Sequence, residues 1–301
     1  MEKILYFVLG ILFIYLIVIV IKDKFNSKLM MVEGFKQNQK VSVYNNNNLY
    51  DEFYSEIYDI LFQNEDKNVY ELEKIMHYTK MNKKSNVLDI GSGVGFHVNY
   101  LNKSGIPTIG MDNSNDMIKK ANKTYPGNKF QYGDILKILD IDLIERQEKF
   151  THILMLYFTI YYIDNKRLMF ENCFNSLQKG GYMVIHLVDR NKFDPLINAS
   201  NPIKFVDVQS VAKKRITDSI VKFNKFTYKA KFSVENNDIC KFIESFINEN
   251  KDKRVNKHTL FMNTQKSILA IAKSIGFKLK TQINLSGVNY KNQYIYVLYK
   301  P

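Results

Sequence analysis

Residues 87–98 read VLDIGSGVGFHV. An apolar run carries one acid, Asp89, and opens into three alternating glycines, Gly91, Gly93 and Gly95. The chemistry of such a loop is ligand binding. Glycines let main chain approach a ligand and adopt dihedrals that other residues avoid. A helix that starts there points its positive end into the same space. A phosphate loop would close on G-K-[ST], but Phe96 and His97 follow Gly95, which excludes it. A dinucleotide fingerprint would keep GxGxxG, and Phe96 stands where its last glycine belongs. What remains is D-x-G-x-G-x-G. Two more acids follow at the ends of apolar runs: Asp112 in PTIGMD and Asp134 in KFQYGDI. The first lies about twenty residues beyond the loop, where a carboxylate can accept bonds from ribose hydroxyls.

The glycine pattern in register with Asp112 and Asp134 resembles motif I and the succeeding acids of the class I S-adenosylmethionine-dependent methyltransferases. LQKGGYMVI is similar to that family's turn into its fifth strand, and YDEFYSEIYDIL to its N-terminal lid helix. The resemblance runs from Leu49 to the end of the chain. It implies S-adenosyl-L-methionine as cofactor. It places Asp89 near the cationic methionine end, with Gly91, Gly93 and Gly95 as the close-approach loop. Asp112 then holds the ribose, and Asp134 with Ile135 the adenine. Met117 packs on the adenine ring, and Leu156 lines the same site. The cofactor carries a sulfonium, an amino group and a carboxylate but no phosphate, so the loop needs no lysine. Two departures narrow the acceptor. Thr151 stands where the family often begins strand four with an acid, and LYFTIYYID replaces a [DNS]-P-P-[YF] motif. Both argue against amino-methylation of DNA bases, and the lack of a Pro-Cys pair argues against attack at a base C5.

Methyl transfer is an in-line displacement from an activated donor. The protein aligns the partners, excludes water and, for an acidic acceptor, removes a proton. No single catalytic residue type is required. His97, His186, Tyr157, Tyr161 and Tyr162 fall on the glycine loop or near predicted carboxyl ends of strands. Tyr161 and His186 are the candidates for acting on the acceptor, with core packing as the competing role for each.

These residues need a scaffold that gathers strand ends. NVLDI, PTIGMD, KFQYGDI, KFTHILMLY and YMVIHLV read as five strands, with helices between them. Ser114 is a plausible cap for the helix that follows the second strand. Strand–helix alternation predicts an α/β fold: a doubly wound, mostly parallel, seven-stranded Rossmann-like sheet. The rhythm breaks at residues 190–258, read as an inserted cap after strand five. ITDSIVKFNKFTYKAKFSV alternates there like a hairpin, before the apolar ICKFIESFI and the charged NENKDKRVNKH. GFKLKTQINL and QYIYVLYK close the sheet.

Ahead of this domain, Ile4 to Ile21 is an uncharged run that spans about 27 Å as a helix, close to bilayer thickness. Residues 1–22 are therefore expected to form one transmembrane anchor, 23–48 a linker and 49–301 the methyltransferase domain. A cleavable signal peptide is the rival, but KDKFNSKLMM offers no A-x-A site. Lys22, Lys24 and Lys28 put the domain on the cytosolic side of a membrane. Cys173 and Cys240 form no zinc or disulfide pattern, and no metal is expected.

The net charge of +13 admits nucleic acid, anionic lipid or an acidic substrate. The favoured reading is a membrane-anchored enzyme that methylates a small-molecule or lipid-linked O or N acceptor. Lys213, Lys214, Arg215, Lys251, Lys253 and Arg254 in the insertion keep an RNA methyltransferase open as the alternative. A non-enzymatic membrane-attached protein with the same fold is a further one.

Overall fold

The computed structural model describes residues 41–140, 149–196, 209, 212–235 and 238–301. The expected anchor at 1–22 and most of the expected linker lie outside them. Among the described residues, no helix is long and apolar enough to cross a membrane.

A seven-stranded sheet carries the site. Four buried or half-buried strands, β2 (Val87–Ile90), β3 (Thr108–Asp112), β4 (Lys129–Tyr132) and β5 (Phe150–Met155), pair in parallel with one another and with β6 (Leu177–Val188). Two antiparallel strands, β11 (Lys278–Asn284) and β12 (Gln293–Tyr299), finish one side. The order is β11-β12-β6-β5-β2-β3-β4. Strand order reverses beside β2, so the loops after β2 and β5 diverge and leave a crevice at their carboxyl ends. This is the expected Rossmann-like, mostly parallel sheet.

The connecting helices have legible starts. The helix at Asn115–Thr124 begins at Ser114, whose hydroxyl accepts from Met117 N–H at 3.1 Å. The helix at Phe96–Lys103 begins at Gly95, which sits at φ +93°. A Cβ there would lie 2.5 Å from the Phe130 ring, so only glycine fits.

The break after β6 is a second sheet. Its strands are β7 (Asp218–Lys222), β8 (Phe226–Val234), β9 (Ile239–Asn248) and β10 (Lys253–Phe261), antiparallel to their neighbours. The hairpin reading corresponds to β7 and β8. The apolar segment and the charged run are the two long strands β9 and β10. The sheet runs on to Phe261, past the expected cap limit of residue 258. Residues 41–45, expected as the end of a linker, are strand β1 (Val41–Asn45), parallel to β10 with Val41 opposite Lys253. The period-two pattern Val41, Val43 was hidden by the asparagine run that follows it.

Two helices precede the main sheet: α1 (Glu52–Phe62) and α2 (Glu65–Thr79). Phe53, Tyr54, Ile57 and Leu61 of α1 pack with Phe226, Tyr228 and Phe246 of the cap sheet in one apolar cluster. Full burial of such side chains contributes about 1.5–3 kcal/mol each. Arg254 of β10 reinforces the contact. It donates to Asp51 Oδ2 at 2.7 Å and to the Leu49 carbonyl at 3.1 Å, and lies against the rings of Tyr44 and Phe53. Helix α1 and the cap sheet therefore cover the crevice as one body.

Candidate active site

A cavity of about 470 Å³ opens at the carboxyl ends of β2 and β5, within the size range of small-ligand sites. The glycine loop forms one wall. Gly91 sits at φ +70° and Gly93 at φ +52°. A Cβ on Gly91 would meet the Thr159 side chain at 2.5 Å, so the loop and the segment after β5 touch across a glycine. Gly93 has open space over its Cα, and its N–H donates to Asp112 Oδ2 at 2.9 Å. Asp112 Oδ1 accepts from Ser114 N–H at 2.9 Å. Burial pushes the Asp112 carboxyl up to about 6, against the opposing pull of the Ser114 and Gly93 amides.

Most of the sequence-derived candidates converge here. Gly91, Gly93, Asp112, Met117, Asp134, Ile135 and Leu156 all line the cavity. Asp134 Oδ1 accepts from Leu136 N–H at 2.9 Å, which fixes its carboxylate at the rim. Asp89 is buried directly beneath the loop. Its Oδ2 lies 3.7 Å from His97 Nδ1 and makes no hydrogen bond within the described residues. Gly95 stands behind the lining and acts on the helix start.

The two candidates for acting on the acceptor are elsewhere. Tyr161 is fully buried in the main core, where its hydroxyl accepts from Val188 N–H at 2.8 Å. Its neighbour Tyr162 faces the cavity instead. His186 is enclosed in β6 outside the lining, and burial, helped by the Lys67 charge, pushes its imidazole well below the usual range. It therefore stays unprotonated. It lies beside the rings of Tyr157 and Phe158, and its burial fits the core role weighed from sequence.

Tyr157, which the sequence placed near a strand end, lines the cavity and takes φ +54° at the end of β5, a conformation that non-glycine residues favour little and that clusters at functional loops. Sequence reasoning missed other lining residues. Thr159, Phe193, Phe242 and Leu260 complete a largely apolar wall on the cap side. His258 lines the cavity from β10, and Glu244 stands behind it in β9. A period-two count over CKFIESF, with Cys240, Phe242, Glu244 and Phe246 on one face, would have flagged an acid facing inward.

Residues 81–259 match the protein family described as "Methyltransferase domain". The chain belongs to that family. It is thus an enzyme of the S-adenosylmethionine-dependent methyltransferase class, with S-adenosylmethionine as cofactor. The methyltransferase is 31% identical over 121 residues to phosphoethanolamine N-methyltransferase of Plasmodium falciparum, covering 38% of this chain and 42% of that protein. It spans about two fifths of the length of the curated relatives it matches. Among solved structures, it superposes on an S-adenosylmethionine-dependent methyltransferase from Clostridium acetobutylicum with a TM-score of 0.61 at 17% identity, covering 82% of this chain and 97% of that one. The sugar N-methyltransferase KedS8 from Streptoalloteichus gives a TM-score of 0.60 at 15% identity, covering 90% and 98%. At such identities the likeness is one of fold.

The methyltransferase's own geometry fits the cofactor. Gly91 and Gly93 leave room for main-chain approach. Asp112 offers a half-buried carboxylate, held by the Gly93 and Ser114 amides, with lone pairs left to accept from hydroxyls. Asp89, expected at the methionine end, is buried behind the cavity lining, with His97 Nδ1 3.7 Å from its Oδ2.

Two of the basic residues that kept RNA open are engaged in the fold. Arg215 donates to the carbonyls of Phe193 and Arg190, and Arg254 is held by Asp51 and Leu49. Neither is free to meet phosphate.

Proposed function

We propose that this chain transfers the methyl group of S-adenosylmethionine to a nitrogen or oxygen of a small-molecule or lipid-linked acceptor. The observation that carries the reading is the covered cavity. One wall is the glycine loop with Asp112, and the other is an apolar and tyrosine-rich surface from α1, the segment after β5 and the cap sheet. Such an enclosure suits a compact acceptor better than a long RNA strand. The named specificity of the Plasmodium relative is for phosphoethanolamine, and a phosphorylated or sugar-borne amine fits the same enclosure. We also propose that residues 1–22 anchor the enzyme in a membrane, with the unit from residue 49 onward on the cytosolic side.

In this reading Asp112 accepts from the ribose hydroxyls and Asp134 with Ile135 borders the adenine. Met117 and Leu156 pack against the ring, and Asp89 faces the charged methionine end. When bound, the cofactor would supply an activated methyl group on a sulfonium, with the neutral thioether as leaving group. Gly91 and Thr159 set how closely the loop approaches it. The cap and α1 exclude water, so the acceptor meets the methyl group in a dry site.

The test is transfer of radiolabel from methyl-labelled S-adenosylmethionine by the full-length chain in detergent. Phosphoethanolamine, amino sugars, a membrane lipid extract and total RNA serve as separate acceptors. Label in the amine or lipid arms supports the proposal. Label confined to RNA, or cofactor binding without transfer in every arm, refutes it. Carbonate extraction of cell membranes tests the anchor independently, since release of the chain into the soluble fraction would sink it.

A further inference from the structure

One buried polar cluster faces the cavity from the side opposite the glycine loop. Glu244 is fully enclosed between β8, β10 and α1. Its Oε2 accepts from the Tyr54 hydroxyl at 2.6 Å, lies 2.7 Å from His258 Nε2 and 3.5 Å from Asn256 Nδ2. Its Oε1 accepts from the Tyr228 hydroxyl at 2.8 Å. Tyr54, Tyr228 and Asn256 donate to the carboxylate, and a proton of His258 on Nε2 would make a fourth donor to it. That choice fixes the tautomer and leaves Nδ1 as an acceptor. Nδ1 lies 2.6 Å from the Tyr162 hydroxyl. Tyr162 and His258 line the same cavity as Gly91 and Asp112.

Burying a carboxylate carries a desolvation cost that apolar residues at these positions would avoid. Packing alone therefore gives no reason for it. The series carboxylate, imidazole, phenol does have a chemical use, because each member orients the next and the last one meets the cavity. Burial pushes the Tyr162 phenol well above its usual range, so its hydroxyl keeps its proton at neutral pH. It can relay a proton but does not stand as a phenolate.

We propose that Tyr162, His258 and Glu244 form a proton relay that relieves the acceptor of its proton during methyl transfer. Tyr162 is the catalytic residue, and His258 and Glu244 are positioning residues behind it. This rests on the methyl-transfer reading above. The acceptor's lone pair enters the new bond to carbon, and the acceptor N–H or O–H proton passes to the Tyr162 oxygen. The proton already on Tyr162 passes to His258 Nδ1. The resulting imidazolium is held beside the Glu244 carboxylate, and the proton returns to solvent through Tyr162 once the product leaves.

The test uses the full chain and three variants: Tyr162→Phe, His258→Asn and Glu244→Gln. Glutamine keeps the volume of Glu244 and, with its oxygen turned to Tyr54, Asn256 and His258 and its amide N–H to the Tyr228 hydroxyl, keeps the Nε2–H tautomer while removing the charge that would hold an imidazolium. Nitrogen-15 NMR of the ligand-free protein reads that tautomer directly. The signal is assigned by its loss in His258→Asn among the five histidines of the chain. We expect Nε2–H in both the parent and Glu244→Gln, with kcat lowered in the variant because the imidazolium loses its counter-charge. Turnover is then read with whichever amine or lipid of the acceptor panel the parent methylates. Tyr162→Phe should lower kcat about 100-fold, the size of general acid–base assistance. Its affinity for S-adenosylmethionine by calorimetry should stay within about twofold, since the relay acts on the acceptor alone.

A parent Nδ1–H tautomer overturns the relay. So does a Tyr162→Phe variant that keeps its kcat within about threefold, or one whose cofactor affinity falls as far as its turnover. If the parent methylates nothing in the panel, the methyl-transfer reading fails first and the relay with it. A failing Tyr162→Phe result in an active parent removes the relay alone.

Discussion

Asp112 makes cofactor affinity depend on pH in a way that the structure quantifies. Burial holds its carboxyl at about 6 in the ligand-free protein. Two ribose hydroxyls donating to it favour the ionised form, so binding selects the carboxylate. Observed affinity then scales with the ionised fraction of the free protein. With a value near 6 that fraction is about 0.9 at pH 7 and about 0.09 at pH 5, a tenfold loss of affinity, or about 1.4 kcal/mol. The sign for folding is opposite. A carboxyl raised from 3.8 to about 6 contributes stability below its unfolded value and loses it as pH rises through about 6. The ligand-free protein should therefore gain stability from this group as pH falls from 7 to 5, while cofactor binding weakens. Calorimetric titration with S-adenosylmethionine at pH 7, 6 and 5 reads the first effect. The Asp112→Asn variant is the control. It should bind about 10–100-fold more weakly at pH 7, the loss expected for hydrogen bonds to a charged group, and should show little further decline to pH 5. Any slope it retains belongs to other groups. Equal affinity of the parent at pH 7 and pH 5 would refute the reasoning, because it would leave Asp112 without a role in holding the ligand.

Three further outcomes follow from local geometry. Gly91→Ala puts a Cβ at φ +70° and 2.5 Å from Thr159. It should weaken S-adenosylmethionine binding about tenfold or more while circular dichroism of the fold is retained, and an unchanged dissociation constant would count against the close approach. Ser114→Ala removes both the helix cap and the hydroxyl that donates to the Tyr50 carbonyl, and should cost about 1 kcal/mol in urea denaturation. Arg254→Leu strips Asp51 and the Leu49 carbonyl of their buried donor. A loss of about 2–3 kcal/mol is expected in the same measurement, and a neutral result would show that α1 needs no tie to the cap.

The parallel sheet was legible because its strands are short, apolar and bounded by glycines or caps, and because Asp112 and Asp134 fall at their ends. The glycine loop was legible for a related reason: positive φ and close approach both demand glycine, so the backbone leaves a mark in the residue types. The cap was harder to read. Its strands β9 and β10 mix inward polar residues with outward apolar ones, so the alternation that announces a half-buried strand is inverted at Glu244, Arg254, Asn256 and His258. Tyr161 and Tyr162 show the limit most plainly. They are adjacent and chemically identical, and only the short helical turn at Thr159–Tyr162 decides which one is buried against Val188 and which one faces the cavity.

The contact between α1 and the cap sheet also governs traffic. Tyr54 reaches Glu244, and Asp51 and Leu49 are clasped by Arg254, so neither cover can swing without the other. The cover over the glycine loop would thus move as one piece. Exchange of spent cofactor and release of methylated product past that cover would then be timed by the same opening.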